Sequence, residues 1–150
     1  MKDFYSESGI TLYCAKAEEI LPHLSNRFGV LVLDPPYSLH ADRMDAHLSR
    51  FRHVLTETAE ALLLPFLNMG YRADYGLPFA RPVEKVRAAL ATTCGDILDP
   101  YAGVGSTLIA AKLLGRNAVG IEMDPKRSDV IVERLKSTCD GFPDGVLASV

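Results

Sequence analysis

Asp34-Pro35-Pro36-Tyr37 brings together a carboxylate, proline-flanked carbonyls and a flat aromatic ring, directly after the apolar run Gly29 to Leu33. Proline fixes φ and removes the N–H, so a carbonyl in such a segment keeps one direction. A carboxylate and a fixed carbonyl are both acceptors, and the face of Tyr37 can stack on a planar ring. That set of groups suits an amino group carried on an aromatic heterocycle. A strand end followed by an ordinary Pro-Pro turn would have the same sequence, so a second segment has to decide.

That segment begins at Asp96-Ile97-Leu98-Asp99, read as a strand, and continues through the glycine-rich turn Pro100-Tyr101-Ala102-Gly103-Val104-Gly105-Ser106. The spacing of Leu108, Ala111 and Leu114 predicts a helix over Thr107 to Leu114, stopped by Gly115. Ala118 to Glu122 reads as the next strand, with its acidic residue last. Gly103 and Gly105 let backbone approach a ligand closely, and the helix start beyond them offers free N–H groups. Glu122 follows Gly103 by 19 positions, the separation at which a nucleotide-binding βαβ unit presents a carboxylate to ribose hydroxyls.

A dinucleotide and an adenosyl ligand could both use this turn. The dinucleotide fingerprint needs a third glycine at position 108, where the chain has Leu108. Asp99 at the strand end would repel a pyrophosphate but attract an ammonium or a sulfonium. S-adenosylmethionine carries both.

The stretch from Asp99 to Pro125 resembles the cofactor-binding segment of the DNA amino-methyltransferases, which methylate adenine N6 or cytosine N4. Asp34-Pro35-Pro36-Tyr37 is similar to that family's catalytic motif, and Pro82-Val83-Glu84-Lys85 to the segment before its cofactor strand. The order, catalytic motif first, is that of the permuted β-class. The likeness covers roughly residues 10–38 and 78–137. The chain departs from the pattern at Lys16, where an acidic residue that contacts the adenine of the cofactor is common. It departs again between Tyr37 and Pro82, where only the 44 residues 38–81 stand in place of a target-recognition region.

The resemblance implies a Rossmann-like α/β fold with a doubly wound, mainly parallel sheet of about five strands. It implies S-adenosylmethionine as cofactor, held by Asp99, Pro100, Tyr101, Ala102, Gly103, Gly105, Ser106, Thr107, Glu122 and Met123. Methyl transfer to an exocyclic amine of a DNA base, adenine N6 ahead of cytosine N4, would rest on Asp34, Pro35, Pro36 and Tyr37. The substrate would be single-stranded DNA or a duplex with the base flipped out. A homodimer or a separate recognition subunit would supply what the short interval lacks. The rivals are an RNA methyltransferase, a glutamine-side-chain methyltransferase, and a truncated pseudo-methyltransferase that binds cofactor or a partner without turnover.

The elements needed to position these residues alternate along the chain. Ile10 to Cys14 reads as a strand, Ala17, Ile20, Leu21 and Leu24 as a helix cut short by Pro22, and Gly29 to Leu33 as the catalytic strand. Met44, Leu48, Phe51 and Leu55 have helical spacing, and Ala61 to Leu64 reads as a strand. Val83, Val86 and Leu90 mark a helix before the cofactor strand. The last helix starts with Asp124 as N-cap and Pro125 at its first position, and turns Ile131 and Leu135 inward. Right-handed crossovers would then set the catalytic and cofactor strands side by side at the sheet centre. The expected organisation is one methyltransferase domain over 1–140, with a catalytic half at 10–66, a loop at 67–81, a cofactor half at 82–138 and a tail at 141–150.

With 48% hydrophobic and 23% charged residues, and no apolar run near the ~18 residues of a membrane span, the chain reads as a cytoplasmic globular domain without a secretory signal. Cys14, Cys94 and Cys139 lack paired metal-ligand spacing and read as reduced thiols, with no metal site. A net charge of −3 gives no global attraction for a polyanion, so any DNA contact needs local patches. Arg43, Arg50 and Arg52, interleaved with His40, His47 and His53, form one patch; Arg72 and Arg81, with Tyr71 and Tyr75, form another. Each is either a solvated surface or a set of phosphate contacts beside the active site.

Overall fold

The computed structural model describes residues 3–25, 27–33, 49–63 and 83–139, without the side chains at 58 and 61–63. Asp34, Pro35, Pro36, Tyr37, Arg43, Met44, Leu48, Tyr71, Arg72, Tyr75 and Arg81 lie outside these residues, as does the segment from 140 onward.

The strands are β1 (Tyr5–Glu7), β2 (Ile10–Cys14), β3 (Phe28–Leu33), β4 (Leu55–Leu63), β5 (Ile97–Asp99) and β6 (Ala118–Glu122). The helices are α1 (Ala17–Ile20), α2 (Val83–Leu90), α3 (Ser106–Leu113) and α4 (Pro125–Ser137), with single 3₁₀ turns at Leu21–His23 and Arg52–Val54. The strands form one sheet in the order β1-β2-β6-β5-β3-β4, parallel except for the β1–β2 pair. This is the α/β, mainly parallel, Rossmann-like architecture. β5 pairs with β6 on one side (Ile97 with Ala118) and with β3 on the other (Val30 with Ile97). The chain therefore reverses its winding direction between β5 and β3. Open α/β sheets bind ligands at such a switch point, outside the carboxyl ends of the strands.

Alternation along β3 explains why both faces must be covered. Val30 and Val32 pack with Val86, Leu90, Leu108, Ile131 and Leu135 of α2, α3 and α4. Leu31 and Leu33 pack on the other side with Ala17, Ile20, Leu21 and Phe51. All four β3 residues are fully buried, as a parallel strand between two helical layers requires.

The helix ends follow their local signals. Asp124 caps α4 by accepting from the Lys126 N–H at 2.9 Å, with Pro125 at the first helical position. Past α3, the Gly115 N–H donates to the Lys112 carbonyl and the Arg116 N–H to the Ala111 carbonyl, both at 3.0 Å, which is the Schellman pattern. Arg116 also closes the end of α2, its guanidinium donating to the Leu90 carbonyl at 2.6 Å.

Two elements differ from the sequence reading. The sheet has a sixth strand, β1, joined to β2 by a turn with φ +50° at Ser8 and +78° at Gly9. Two left-handed residues match the twist of an antiparallel hairpin. Leu55, assigned by spacing to a helix with Phe51, instead opens β4 and pairs with Phe28. Pairing with an already buried neighbour strand outweighs an apolar spacing of four, which fits a helix as well as a turn entering a strand.

Candidate functional site

The site is built on the carboxyl ends of β5 and β6. Asp99 ends β5 with only 4% of its surface exposed. Its Oδ1 accepts from the Tyr101 N–H at 3.1 Å, turning the chain sharply around Pro100. The Ala102 N–H then donates to the Ile121 carbonyl at 2.9 Å, pinning the turn onto β6. One residue on, the Gly103 N–H donates to Glu122 Oε2 at 2.8 Å, while Glu122 Oε1 accepts from the Asp124 N–H at 2.9 Å. A buried carboxylate thus ties the glycine turn to the start of α4. Each oxygen retains a further lone pair for an outside donor.

The two glycines serve different ends. At Gly103, φ is +59° and an added Cβ would meet nothing closer than 4.0 Å, so this stretch of backbone faces open space. At Gly105, φ is +82° and a Cβ would lie 2.9 Å from the Ile131 side chain. Gly105 is required because α4 packs against it, whatever a ligand needs.

A cavity of 410 Å³ opens beside this turn, within the roughly 300–1,000 Å³ typical of small-molecule sites. Pro100, Tyr101, Gly103, Glu122 and Met123, all expected to hold a cofactor, contribute to its described wall. Ala102, Ser106 and Thr107 are buried behind exposures of 7%, 7% and 3%. The opposite wall is Ala15, Lys16, Ala17 and Glu18, and Arg127 also borders it. Lys16 stands out in the sequence as a departure, but Glu18 and Arg127 are not evident there. The signal lies in strand order: Cys14 pairs with Glu122 and the Ala15 N–H donates to the Glu122 carbonyl at 3.1 Å. Whatever follows β2 must then face whatever follows β6.

The acidity of Tyr101 is clearly perturbed. Burial raises its phenol above the ordinary tyrosine range, Glu18 raises it further, and the charge and hydrogen bond of Arg50 oppose both. Arg50 Nη1 lies 3.8 Å from Glu18 Oε1. Arg52 is exposed at the start of its 3₁₀ turn. Among the described residues no group of three His, Cys, Asp or Glu is placed to hold a metal ion. No described helix is long and apolar enough to cross a membrane.

Comparison with known proteins agrees with this geometry. Residues 86–133 match the family described as DNA methylase, the N6 and N4 amino-methyltransferases. The Type II methyltransferase M.MthZI of Methanothermobacter thermautotrophicus is 47% identical over 45 residues, 29% of this chain and 13% of that protein. M.HinfI of Haemophilus influenzae is 50% identical over 40 residues, 27% of this chain and 11% of its own length. The chain therefore spans only a small part of these relatives. In fold, the crystal structure of the M1.HpyAVI-SAM complex superimposes with a TM-score of 0.63 at 15% identity, covering 84% of this chain and all of that one. The glycine turn, its acidic partner and the sequence match across them make residues 86–133 similar to the DNA amino-methyltransferases.

Proposed function

We propose that the chain is an S-adenosylmethionine-dependent methyltransferase acting on an exocyclic amino group of a DNA base, adenine N6 ahead of cytosine N4. The observation that carries this reading is the Gly103–Glu122 closure beside a 410 Å³ cavity at the switch point. β3, adjacent to β5, leads directly into Asp34-Pro35-Pro36-Tyr37.

The residues present fit the cofactor. Glu122 retains lone pairs for ribose hydroxyls, Gly103 leaves room for close approach, and Asp99 is a carboxylate suited to the cationic methionine end. Met123, 67% exposed, offers an apolar side chain to the adenine ring. When bound, S-adenosylmethionine supplies an electrophilic methyl group. Asp34 and the Pro35 carbonyl accept the amino hydrogens of the base. That draws the nitrogen toward tetrahedral geometry and localises a lone pair otherwise delocalised into the ring. The Asp34 charge stabilises the positive charge developing on nitrogen, and Tyr37 stacks on the flipped base. Of the five arginines expected to contact nucleic acid, Arg43, Arg52, Arg72 and Arg81 serve as phosphate contacts, while Arg50, paired with Glu18, is assigned to the cavity wall.

Radiolabelled methyl transfer to DNA, RNA and protein, followed by nucleoside analysis, tests the proposal. N6-methyladenine in DNA is the expected product. Label confined to RNA or protein overturns the substrate assignment. Cofactor binding without transfer to any substrate would favour a binding pseudo-enzyme.

A further inference from the structure

Glu18 on α1, Arg50 just before the 3₁₀ turn into β4, and Tyr101 after β5 come from three distant parts of the sequence. They meet at the edge of the 410 Å³ cavity, which Glu18 and Tyr101 line. Arg50 joins them, with Nη1 3.8 Å from Glu18 Oε1 and its guanidinium near enough to the Tyr101 phenol to lower its pKa. The backbone around Arg50 is anchored. Phe51 is fully buried, Val54 is 1% exposed, and the His53 carbonyl accepts from Arg27 Nη1 at 2.9 Å. Both members of the ion pair have side chains at least 60% exposed, so the pair adds little to stability. Its consequence is local: it orients two groups of the cavity wall.

We propose that Arg50 is a positioning residue of the cofactor cavity, holding the Tyr101 ring and the Glu18 carboxylate as its wall. The inference rests on the proposed function for the identity of the ligand. Arg50 stands 13 positions after Tyr37, so the same contact ties the segment that follows the catalytic motif to the glycine turn. Its guanidinium offsets Glu18 on a rim where Lys16, Glu122 and Arg127 are the other charged groups of the described wall. A planar fork can pair with a carboxylate and a phenol oxygen at once, which a lysine ammonium does less rigidly.

The test uses the full chain and three readouts. The Tyr101 phenol is titrated by ultraviolet absorbance, as the difference between each protein and its Tyr101→Phe counterpart. Affinity for S-adenosylhomocysteine is measured by calorimetry, and affinity for an oligonucleotide duplex is measured against salt. Arg50 lowers the Tyr101 titration, so Arg50→Ala should move it to higher pH. The same change should weaken S-adenosylhomocysteine by about 3- to 10-fold, as for one lost hydrogen bond, and leave the salt slope for DNA unchanged. Arg50→Lys should recover part of both losses. An unmoved Tyr101 titration in Arg50→Ala overturns the inference. So does unchanged nucleoside affinity with a salt slope smaller by about one unit, which would make Arg50 a phosphate contact. A wild-type protein that fails to bind S-adenosylhomocysteine overturns the proposed function and the cavity's ligand with it. A wild type that binds, with a variant that binds equally well, overturns only the role of Arg50.

Discussion

The Gly103 N–H and Glu122 Oε2 are 2.8 Å apart, and the same carboxylate accepts from the Asp124 N–H through its other oxygen. Hydrogen bonds to a charged acceptor contribute more than neutral ones. This carboxylate therefore shapes the glycine turn before any ligand arrives. It also fixes which lone pairs remain for one.

Glu122→Gln follows directly. The amide keeps one acceptor oxygen, so either the Gly103 or the Asp124 N–H must face an NH₂ group. The expected cost is about 1–3 kcal/mol, read as a lower urea midpoint with unchanged slope. Affinity for S-adenosylhomocysteine should fall as well, because the remaining acceptors are no longer correctly aimed. A variant with wild-type midpoint and affinity would show that the carboxylate organises neither turn nor ligand.

Gly105→Ala tests packing and ligand approach separately. A side chain at φ +82° costs roughly 1–2 kcal/mol by itself, and the Cβ would press on Ile131 at 2.9 Å. We expect the apo protein to lose stability before cofactor is considered. Adding Ile131→Ala, which removes both γ-carbons that the new Cβ would meet, should recover the steric part while leaving the backbone part, a coupling visible in a double-mutant cycle. Strict additivity of the two changes would mean that α4 does not press on this turn.

Asp34→Ala should separate chemistry from binding. Methyl transfer should fall by at least ~10²-fold, as for loss of a positioned transition-state partner. S-adenosylhomocysteine affinity should change little, because the proposed role of Asp34 is toward the base, whereas Gly103 and Glu122 line the cavity assigned to the nucleoside. Near-normal turnover in this variant would sink the proposed mechanism, and lost nucleoside affinity would move Asp34 to the cofactor.

The elements from β5 to α4 were legible because their signals are local. Asp124-Pro125 starts α4, Gly115 ends α3, and Asp99 and Glu122 close their strands within a stretch of 27 residues, 99–125. What the sequence hid depends on contacts between distant segments. β1 hangs on a hairpin whose first turn residue is Ser8, a residue type with no strong left-handed preference. Leu55 shares a helix-like spacing with Phe51, and only its partner Phe28 makes it a strand residue. Lys112 looks like a surface lysine at the end of α3. It is 6% exposed, and its Nζ donates to the Leu135 carbonyl on α4 at 2.8 Å, 23 positions away. The far wall of the cavity, Lys16 to Glu18, is set by the β2–β6 pairing, which no spacing within either segment reveals.

The short interval between the motifs leads to the last prediction. Sequence readout requires side chains carried into a groove, each good base contact giving about 1–3 kcal/mol of discrimination. Of the 44 residues 38–81, nine at 55–63 are already committed to β4. The rest is split into 38–54, directly after the catalytic motif, and 64–81, which leaves room for one reading loop at most. We therefore expect the purified chain to bind DNA weakly and to methylate a very short sequence or none in particular. Its affinity should come from phosphate contacts by Arg43, Arg52, Arg72 and Arg81. Four such contacts give a slope of log K against log salt of about −3 to −4. Mapping methylated positions on a mixed-sequence plasmid at low and moderate salt decides the matter. A strict site of about four or more base pairs, methylated by a monomer with a shallow salt dependence, would show that the loop reads bases unaided. Broad methylation that becomes selective only with a second subunit would place recognition on a partner.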